Sequence, residues 1–500
     1  MKRLMVLLLV ALLVCPWVNA QQETGDGPEQ AIIDACTYNE PADISAWDLD
    51  GPELEALFYE LRTTGRLPWY IYHFSYTYRE SESKVISFTP KNLDPEIYHR
   101  ELYEQQLAQV MDACVFDGMN PVQIALSVHD WLVLHCAYDL TLEANTGYDL
   151  LVNGTTVCAG YAAAYMDILN RLGIPCVTVT SEEMNHAWNL VQLDGQWYHV
   201  DVTWDDPTED IQGRVKHQYF LLTDEEISAG DDPHYGWETD ITCTDTRFSN
   251  AYWRDVSSPI CYESSQTSYY VSRSDLTYRL LRREESTGQT TTLYTESKHY
   301  VPTGSGRYAY GHFGLCLQGD RLFFGVQNAV LSVSTSGQQL RTELEYDTYG
   351  NRKYICGVLV SGSTAQVSLS DHDGNLEYVE LPLQNDYPLP HAHAYVQSTT
   401  QPDCLTPGYT QWTCSCGLSC QSDPTAPLDH SFENGHRKAA TFFGDGFVEQ
   451  TCTRCAATQT QVLPQEEFMP WLEENWKKVL MFLALIWFIR KVLKPQKAKT

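Results

Sequence analysis

The chain has 500 residues, a formal net charge of −32 at pH 7 and 43% hydrophobic residues. This length predicts about two to four domains, and the hydrophobic content is sufficient for buried cores. The strong negative charge argues against nucleic acid as a partner and against a broad basic membrane-binding face.

Residues 1–20 predict a secretory signal peptide. Lys2 and Arg3 precede an apolar run, and a small-residue cleavage site ends at Ala20. The alternative is an N-terminal membrane anchor, for which the apolar run is short. We therefore expect the protein to be exported, either secreted or held on the extracellular face of the cell membrane. Cleavage removes Cys15 from the 16 cysteines, so an odd number remains and at least one thiol stays unpaired.

Residues 21–120 predict an α+β region that packs on the domain after it. The segment 21–45 is polar and suggests a loose start. A helix is expected from Glu53 to Arg62, with Pro52 at its first position. After this helix, aromatic and polar residues alternate, which is typical of a hairpin. Beyond the hairpin, apolar residues recur at helical spacing and predict further helices.

The apolar spacing over residues 155–172 predicts a helix that Gly173 ends and that Thr155 or Thr156 caps. Cys158 would lie in its first turn. Free backbone N–H groups and the positive end of the helix dipole favour a thiolate there, which should lower the pKa of the thiol. The same N–H groups could stabilise an oxyanion. Cys158 is therefore a candidate nucleophile, although buried structural cysteines are common.

A hairpin is predicted around Asp194-Gly195, a pair typical of a type I′ turn. Counting outward from that turn places His186 and Asp201 as diagonal neighbours on one face of the two strands. A carboxylate at this separation can hold an imidazole in one tautomer and orient it towards a third group. Cys158 could supply that group, which would complete a Cys-His-Asp triad and make Cys158 the unpaired cysteine.

Other interpretations of these residues remain open. His199 lies on the same face as His186 and could be the base or a residue that supports it. Trp188 could belong to the core or to the wall of a cleft. A Cys-His-Asp set could also bind zinc, and polar residues of a hairpin are often only surface residues.

The segments "VHDWLVLHCAYD", "NGTTVCAGYAAAYMDILNRLGIPC", "NHAWNLV" and "WYHVDVTWDDP" occur in this order between about Pro121 and Asp224. This stretch resembles the transglutaminase-like superfamily, in the form common among exported bacterial proteins. The resemblance implies a papain-like α+β fold, in which Cys158 is the nucleophile, His186 the base and Asp201 the orienting carboxylate.

The resemblance assigns residues 121–262 to a catalytic domain, in which we expect Trp188 and Tyr161 to contact the substrate. The implied function is that of an exported cysteine enzyme that acts on amide bonds of proteins or peptides, cell-wall peptides included. It would act by hydrolysis, as a peptidase or amidase, or by transfer to an amine. No cofactor is expected in the catalytic step. The alternative is a non-catalytic cell-surface binding protein that keeps the fold.

Residues 267–385 contain three units that each predict a strand, a turn with glycine and a second strand. Their spacing is that of propeller blades, but three units are too few to close a propeller. We therefore expect a β-sheet domain of blade-like units, whose role could be surface binding or that of a spacer.

Residues 402–463 form a small cysteine-rich module with an internal duplication, since "GYTQWTCSC" begins at Gly408 and "GFVEQTCTRC" at Gly446. Disulfides are one expectation for this module, and Cys404 and Cys420 offer partners for them. Structural zinc is an equal alternative, because either would stabilise a domain too small for a core of its own. The candidate zinc ligands are Cys414, Cys416, Cys452 and Cys455.

The apolar run from Val479 to Ile489 is short for a membrane span, which needs about 20 residues. Flanking lysine and arginine side chains could reach the interface, and the tail after Arg490 is basic, as expected of a cytoplasmic tail. We predict a membrane-anchor helix over 468–493, with an interfacial helix or an aggregation-prone tail as alternatives. The predicted fold is thus α+β, with a papain-like transglutaminase core, a β-rich domain and a small Cys-rich module.

Overall fold

The computed structural model describes residues 27–492 except for short gaps at 80–82, 207, 209, 231, 275–276, 298–300, 303–307, 310–313, 372, 389–390, 441–443 and 465–467. The predicted signal peptide lies outside the described residues. These residues fall into two compact units, one within Met1–Ser398 and Thr410–Asp423 and the other within Thr399–Tyr409 and Pro424–Thr500.

The first part of the chain folds as a small α+β layer with its own apolar core. Its second helix begins with a capping box, because Asp50 and Glu53 each accept the backbone N–H of the other. Leu54, Phe58 and Phe88 are buried in this core. The helices span Pro28–Tyr38 and Gly51–Thr63, and the strands of the sheet span Ala42–Asp43, Ile71–Arg79 and Lys84–Asn92, the last of which is central.

The helix over Pro28–Tyr38 corrects the expectation of a loose segment at 21–45. Ile32 and Ile33 are buried on one side of this helix, in the same core as Leu54. The segment carries too few apolar residues for a clear helical repeat, so its structure depends on contacts with later parts of the chain.

The next part is an antiparallel sheet with helices packed against it. Residues from both layers, among them Leu107, Leu132, Leu169, Val191 and Phe220, share one buried apolar cluster. Burial of each such side chain contributes about 2 kcal/mol. The helices span Arg100–Cys114, Pro121–His135 and Cys158–Arg171, and the strands, adjacent in chain order, span Cys176–Ser181, His186–Leu193, Gln196–Val200 and Phe220–Leu222.

The helix that begins at Cys158 is held tightly at its first turns. An added Cβ at Gly160 would lie 2.0 Å from Oγ1 of Thr156 and 2.6 Å from the carbonyl oxygen of Thr146. Glycine is therefore required for this close approach. On the sheet side, Nδ2 of Asn189 donates to the carbonyl oxygen of Ala162 at 3.0 Å, which ties the second strand to the helix.

Three antiparallel sheets of consecutive strands form the β-rich region. Leu322 and Phe324 pack in a cluster with Tyr269 of the first sheet, whereas Phe323 packs with Val358 of the third, so the middle sheet is buried on both faces. The predicted units are thus present as small antiparallel sheets. The strands span Cys261–Ser264, Thr267–Ser274, Thr277–Glu284 and Thr290–Ser297, then Leu315–Gln318, Arg321–Val326, Ala329–Ser334 and Arg341–Glu345, then Lys353–Ser361, Thr364–Asp371 and Leu376–Pro382.

The duplicated sequence corresponds to two further three-stranded sheets with the same strand order. The first has strands Tyr395–Thr400, Gly408–Cys414 and Ser419–Thr425, and the second has Phe432–Lys438, Gly446–Cys452 and Thr458–Leu463.

The last helix spans Phe468–Val492. Among the helices of the described residues, none combines the length and the apolar character needed to cross a membrane. This finding corrects the predicted membrane anchor over 468–493.

Candidate active site

Cys158 is the first residue of its helix, as the sequence predicts, and is partly exposed. The predicted cap is wrong, because Val157 occupies the N-cap position and no side chain caps the helix. The hydroxyl of Thr156 donates instead to the carbonyl oxygen of Ala144, at 3.2 Å. The first backbone N–H groups of the helix therefore have no side-chain cap beside the thiol.

His186 and Asp201 are brought together by the predicted hairpin. The strands pair Leu193 with Gln196 next to the turn and keep this register outward to Asn189 and Val200. Just beyond the last pair, Nε2 of His186 lies 2.7 Å from Oδ2 of Asp201. Asp201 is fully buried and ends the strand.

Asp201 has a second structural role. Its Oδ1 atom accepts the backbone N–H of Trp204 at 3.2 Å and caps the short helix Val202–Asp205. The carboxylate is thereby fixed by the backbone that follows it, and its other oxygen remains directed at His186.

The Cys158 thiol stands beside His186, close enough for the ring to shift the pKa of the thiol, and His186 in turn contacts Asp201. Although burial raises the pKa of Cys158, the hydrogen bond to His186 and the charge of that ring lower it below the ordinary value. Burial lowers the pKa of His186, but the charge and hydrogen bond of Asp201 raise it to about 10. Both shifts favour a thiolate beside an imidazolium.

The buried core cysteines have a different environment. All fifteen cysteines of the described residues are free thiols, so Cys158 is not the single unpaired one. Burial raises the pKa of Cys36 and of Cys243 to about 12. Cys158 differs from these two cysteines in its lowered pKa, to which the ring of His186 contributes, rather than in the lack of a disulfide partner.

His234 joins the site from a distant part of the chain. Its Nε2 atom lies 2.8 Å from Oδ2 of Asp201, the oxygen that also contacts His186. The ring is fully buried and stands against Trp204, with ring centroids 4.1 Å apart. No sequence pattern pointed to His234, because it follows Asp201 by 33 positions in an irregular segment.

Trp188 and Tyr161 are both buried, which corrects the expectation that they contact the substrate. The indole of Trp188 stacks on the ring of His186 at 5.7 Å and donates to Nδ1 of His199 at 2.9 Å. The hydroxyl of Tyr161 donates to Asp206 at 2.5 Å. These side chains support the site from inside the core.

His199 is not in contact with the thiol. Its Nε2 atom lies 2.8 Å from Oδ1 of Asp224, and its Nδ1 atom accepts the indole N–H of Trp188. With both nitrogens occupied, His199 orients Trp188 behind His186 and is a supporting residue rather than a base.

A second buried network holds the segment that follows Asp201. His129 contacts Asp130 through Nδ1 at 2.9 Å and Asp205 through Nε2 at 3.2 Å. His217 contacts the same oxygen of Asp130 at 2.9 Å. The network links the helix Pro121–His135 to the residues around the triad, and it was not foreseen from the sequence because its members are far apart in the chain.

A cavity of about 190 Å³ lies beside the triad. Ala159 and Ala187, which follow Cys158 and His186 in the chain, line it. The small side chains leave room for an incoming group next to the thiol. Further lining residues are Tyr59, Trp69, Ala163, Met166 and Thr178.

The distances at the triad fit hydrogen bonds better than metal ligation. Two oxygen or nitrogen ligands of one tetrahedral zinc ion stand about 3.3 Å apart, because each bond is about 2.0–2.1 Å long. The contacts of Asp201 with His186 and His234 are 2.7 and 2.8 Å. These contacts are those of a carboxylate that accepts two N–H groups.

Part of the chain matches a known protein family. Residues 109–202 match the family model of the transglutaminase-like superfamily, and this range contains Cys158, His186 and Asp201. The chain therefore contains a transglutaminase-like domain.

The curated relatives are kyphoscoliosis peptidases. The protein of Mus musculus is 24% identical over 38% of this chain and 35% of its own length, and that of Homo sapiens is 32% identical over 15% and 14%. The chain thus spans about a third or less of the length of these relatives. A solved structure described as that of a TGase is 14% identical, with a TM-score of 0.20, and the match covers 40% of this chain and 61% of that chain.

Proposed function

We propose that this protein is a cysteine acyl-transfer enzyme that acts on amide bonds of proteins or peptides. The observation that carries the proposal is the 2.7 Å contact of Nε2 of His186 with the buried carboxylate of Asp201, beside a Cys158 thiol whose pKa this ring lowers. These groups would supply the nucleophile, base and orienting group that thiol catalysis requires.

In the first step, the thiolate of Cys158 attacks the carbonyl carbon of the amide. The backbone N–H groups at the start of the helix are candidates to stabilise the oxyanion, because the positive end of the helix faces the same position. His186 then gives its proton to the leaving amine, and a thioester remains on Cys158. Because Asp201 holds Nε2 of His186, Nδ1 is the nitrogen that exchanges this proton.

In the second step, water or an amine resolves the thioester. His186 takes the proton of the incoming nucleophile, and the thiolate of Cys158 leaves. Water gives hydrolysis, as in a peptidase or amidase, and an amine gives a new amide, as in a transglutaminase. The small, largely apolar cavity beside the thiol supports a role in holding the acyl group, with Ala159, Ala163 and Ala187 on its walls.

The cellular setting is part of the same proposal. The N-terminal sequence favours export, so the substrates would be proteins or peptides outside the cytoplasm, cell-wall peptides among them. No nucleic acid is expected as a partner, in keeping with the net charge of −32.

The test compares the wild-type protein with Cys158→Ala on fluorogenic peptide amides, with and without an added primary amine. We expect the variant to lose turnover by a factor of about 10³ or more. Release of free acid indicates hydrolysis, and incorporation of the amine indicates transfer. Equal turnover by the two proteins would contradict the proposal, and a lack of turnover by both on protein, peptide and cell-wall substrates would favour a binding protein.

Labelling with iodoacetamide at neutral pH gives an independent measurement. We expect Cys158 to react faster than the cysteines of the buried cores, such as Cys36 and Cys243, as located by mass spectrometry after brief exposure. Cys261→Ala is the matched control, because Cys261 is also partly exposed but has a raised pKa through burial. The control should keep both the rapid labelling and the turnover.

A further inference from the structure

Two clusters of cysteine and histidine lie outside the catalytic domain, one centred on each copy of the duplicated sheet, although Cys404 of the second cluster stands between the first two strands of the first copy. Within each cluster, the candidate ligand atoms all lie within 4.8 Å of one another. The first cluster consists of His391, His393, Cys414 and Cys416, and the second of Cys404, His430, Cys452 and Cys455.

The clusters occupy corresponding positions in the two copies. His393 and His430 each stand two residues before the first strand of their sheet, at Tyr395 and Phe432. Cys414 and Cys452 are the last residues of the two middle strands. The turn after each strand contains a further cysteine of the cluster, Cys416 in the first copy and Cys455 in the second. The fourth member is a histidine in the first copy and a cysteine in the second.

The distances within the clusters match the edges of a tetrahedron around zinc. With Zn–S bonds of about 2.3 Å and Zn–N bonds of about 2.0–2.1 Å, two sulfur ligands stand about 3.8 Å apart and a sulfur and a nitrogen about 3.5 Å. Sγ of Cys404 lies 3.7 Å from Sγ of Cys452. Cys416 lies 3.5 Å from Nδ1 of His393, and Cys455 lies 3.3 Å from Nδ1 of His430.

Disulfides do not explain this arrangement. A disulfide requires two sulfur atoms at about 2.05 Å and gives no role to a histidine, whereas each cluster directs histidine nitrogen at cysteine sulfur. Nε2 of His391 lies 3.1 Å from Sγ of Cys414, for example. Cys420, a cysteine of the same module, belongs to neither cluster.

The second copy also lacks an apolar core that could hold it together. In the described residues of its compact unit, the buried hydrophobic residues are Cys404, Val448 and Cys452. Two of these three are cluster members. A domain with so little apolar burial needs another source of stability, and metal binding is one that small domains use.

We infer that the duplicated module binds two structural zinc ions, one through His391, His393, Cys414 and Cys416 and the other through Cys404, His430, Cys452 and Cys455. Both sites have four protein ligands, so neither keeps an open position for a substrate or a water molecule. Thiolate and imidazole are ligands that zinc prefers over calcium or magnesium. The zinc ions would stabilise the module and take no part in the reaction at Cys158.

The test is the zinc content of the full-length chain, purified without chelator and measured by mass spectrometry of the metal. We expect two zinc ions per chain. Cys416→Ser and Cys455→Ser, at the exposed member of each cluster, should each reduce the content to one, and the double variant should reduce it to none. Cys420→Ser is the matched control, because it removes a cysteine of the module that lies in neither cluster, and it should retain two.

A second measurement keeps the test valid if a variant fails to fold. In protein whose zinc is replaced by cobalt, we expect an absorption band from charge transfer between thiolate and cobalt. The band should be stronger for the second cluster, which has three cysteines, than for the first, which has two. His393→Cys preserves a ligand and should retain two metal ions, with increased thiolate absorption, whereas His393→Ala should lose one. A wild-type protein without stoichiometric zinc, whose module cysteines resist alkylation until reduced, would overturn the inference in favour of disulfides.

Discussion

The Nε2 atom of His234 lies 2.8 Å from the Oδ2 atom of Asp201. That oxygen also contacts His186, so one buried carboxylate oxygen serves two rings. Although burial raises the pKa of Asp201, the charge of His186 and the hydrogen bonds from both rings lower it to about 2. The carboxylate is therefore ionised and connects His234 to the proposed base, whose ring also meets that of His234 edge to face, with centroids 5.6 Å apart.

Replacement of His234 should weaken catalysis without weakening substrate binding. We expect His234→Phe, which keeps a ring but removes the donor, to lower kcat about 10-fold with KM unchanged, since one hydrogen bond to a charged group contributes about 1.5–3 kcal/mol. His234→Gln can donate again and should recover most of the loss. Asp201→Asn should cost far more, about 10³-fold or greater. If the Phe and Gln variants behave alike in steady-state kinetics, His234 has no positioning role.

The ion pair between Cys158 and His186 predicts a defined pH dependence. Activity should rise as the thiol loses its proton, at a pH below the ordinary thiol value of 9.0, and should fall as His186 loses its proton near pH 10. The rate of Cys158 alkylation measured from pH 5 to 11 reports the rising limb, and kcat/KM over the same range reports both limbs. A single rise near pH 9 would show an ordinary thiol and contradict the ion pair.

The raised pKa of His186 also predicts how stability changes with pH. Because the pKa is raised from 6.5 to about 10, the protonated ring stabilises the folded state fully below pH 6.5, and this contribution is lost as pH rises through 10. The difference in the free energy of unfolding between wild type and His186→Gln should therefore shrink from pH 6 to pH 10. Urea titrations at several pH values measure it, and a difference that grows with pH would contradict the assignment.

Gly160→Ala should destabilise the domain. The added methyl group would meet the side chain of Thr156 at 2.0 Å and the backbone of Thr146 at 2.6 Å, so the helix start must shift away from the turn. We expect a loss of about 1–3 kcal/mol in the free energy of unfolding. Gly27→Ala is the control, since a methyl group there meets nothing within 4 Å, and it should change stability little. An equal free energy of unfolding for the two variants would show that the turn can move aside without destabilising the domain.

Ala163→Leu should test the cavity. Three additional carbon atoms would fill part of the space of about 190 Å³ beside the triad. We expect KM for peptide amides to rise about 10-fold, while the small reagent iodoacetamide still labels Cys158 at the wild-type rate. Unchanged KM would place the substrate elsewhere, and slower labelling would mean that the triad itself had moved.

The approach of His186 to Asp201 was predictable because it follows from local rules. Asp194-Gly195 fixes the turn, the turn fixes the register, and the register brings His186 towards Asp201. Gly173 ends the helix that begins at Cys158 with a φ of +77°, as its position in the sequence predicts. Cys158 was a candidate through its place at the start of that helix, and its role as nucleophile is what the family resemblance implies.

The features that were not predicted from the sequence depend on contacts between distant segments. Thr156 was a plausible cap, but its hydroxyl finds a partner in the carbonyl of Ala144. His234 reaches the site from an irregular segment for which no periodicity exists. The proposed zinc ligands His391 and His430 were not predicted, because the spacing of the cysteines does not indicate them. A histidine before a strand is brought to the cysteines only when the strands of the sheet pair.

The amide of Asn189 has a consequence for how the protein fails. It donates to the carbonyl oxygen of Ala162, in the helix that begins at Cys158, at 3.0 Å and to that of Val177, in the neighbouring strand, at 3.3 Å. Asn189 itself lies in the strand that begins at His186, so these bonds join the two elements that carry the thiol and the imidazole. Separation of the candidate nucleophile from the candidate base therefore requires this helix–sheet contact to break. On heating, we expect activity to be lost when the helix Cys158–Arg171 leaves the sheet.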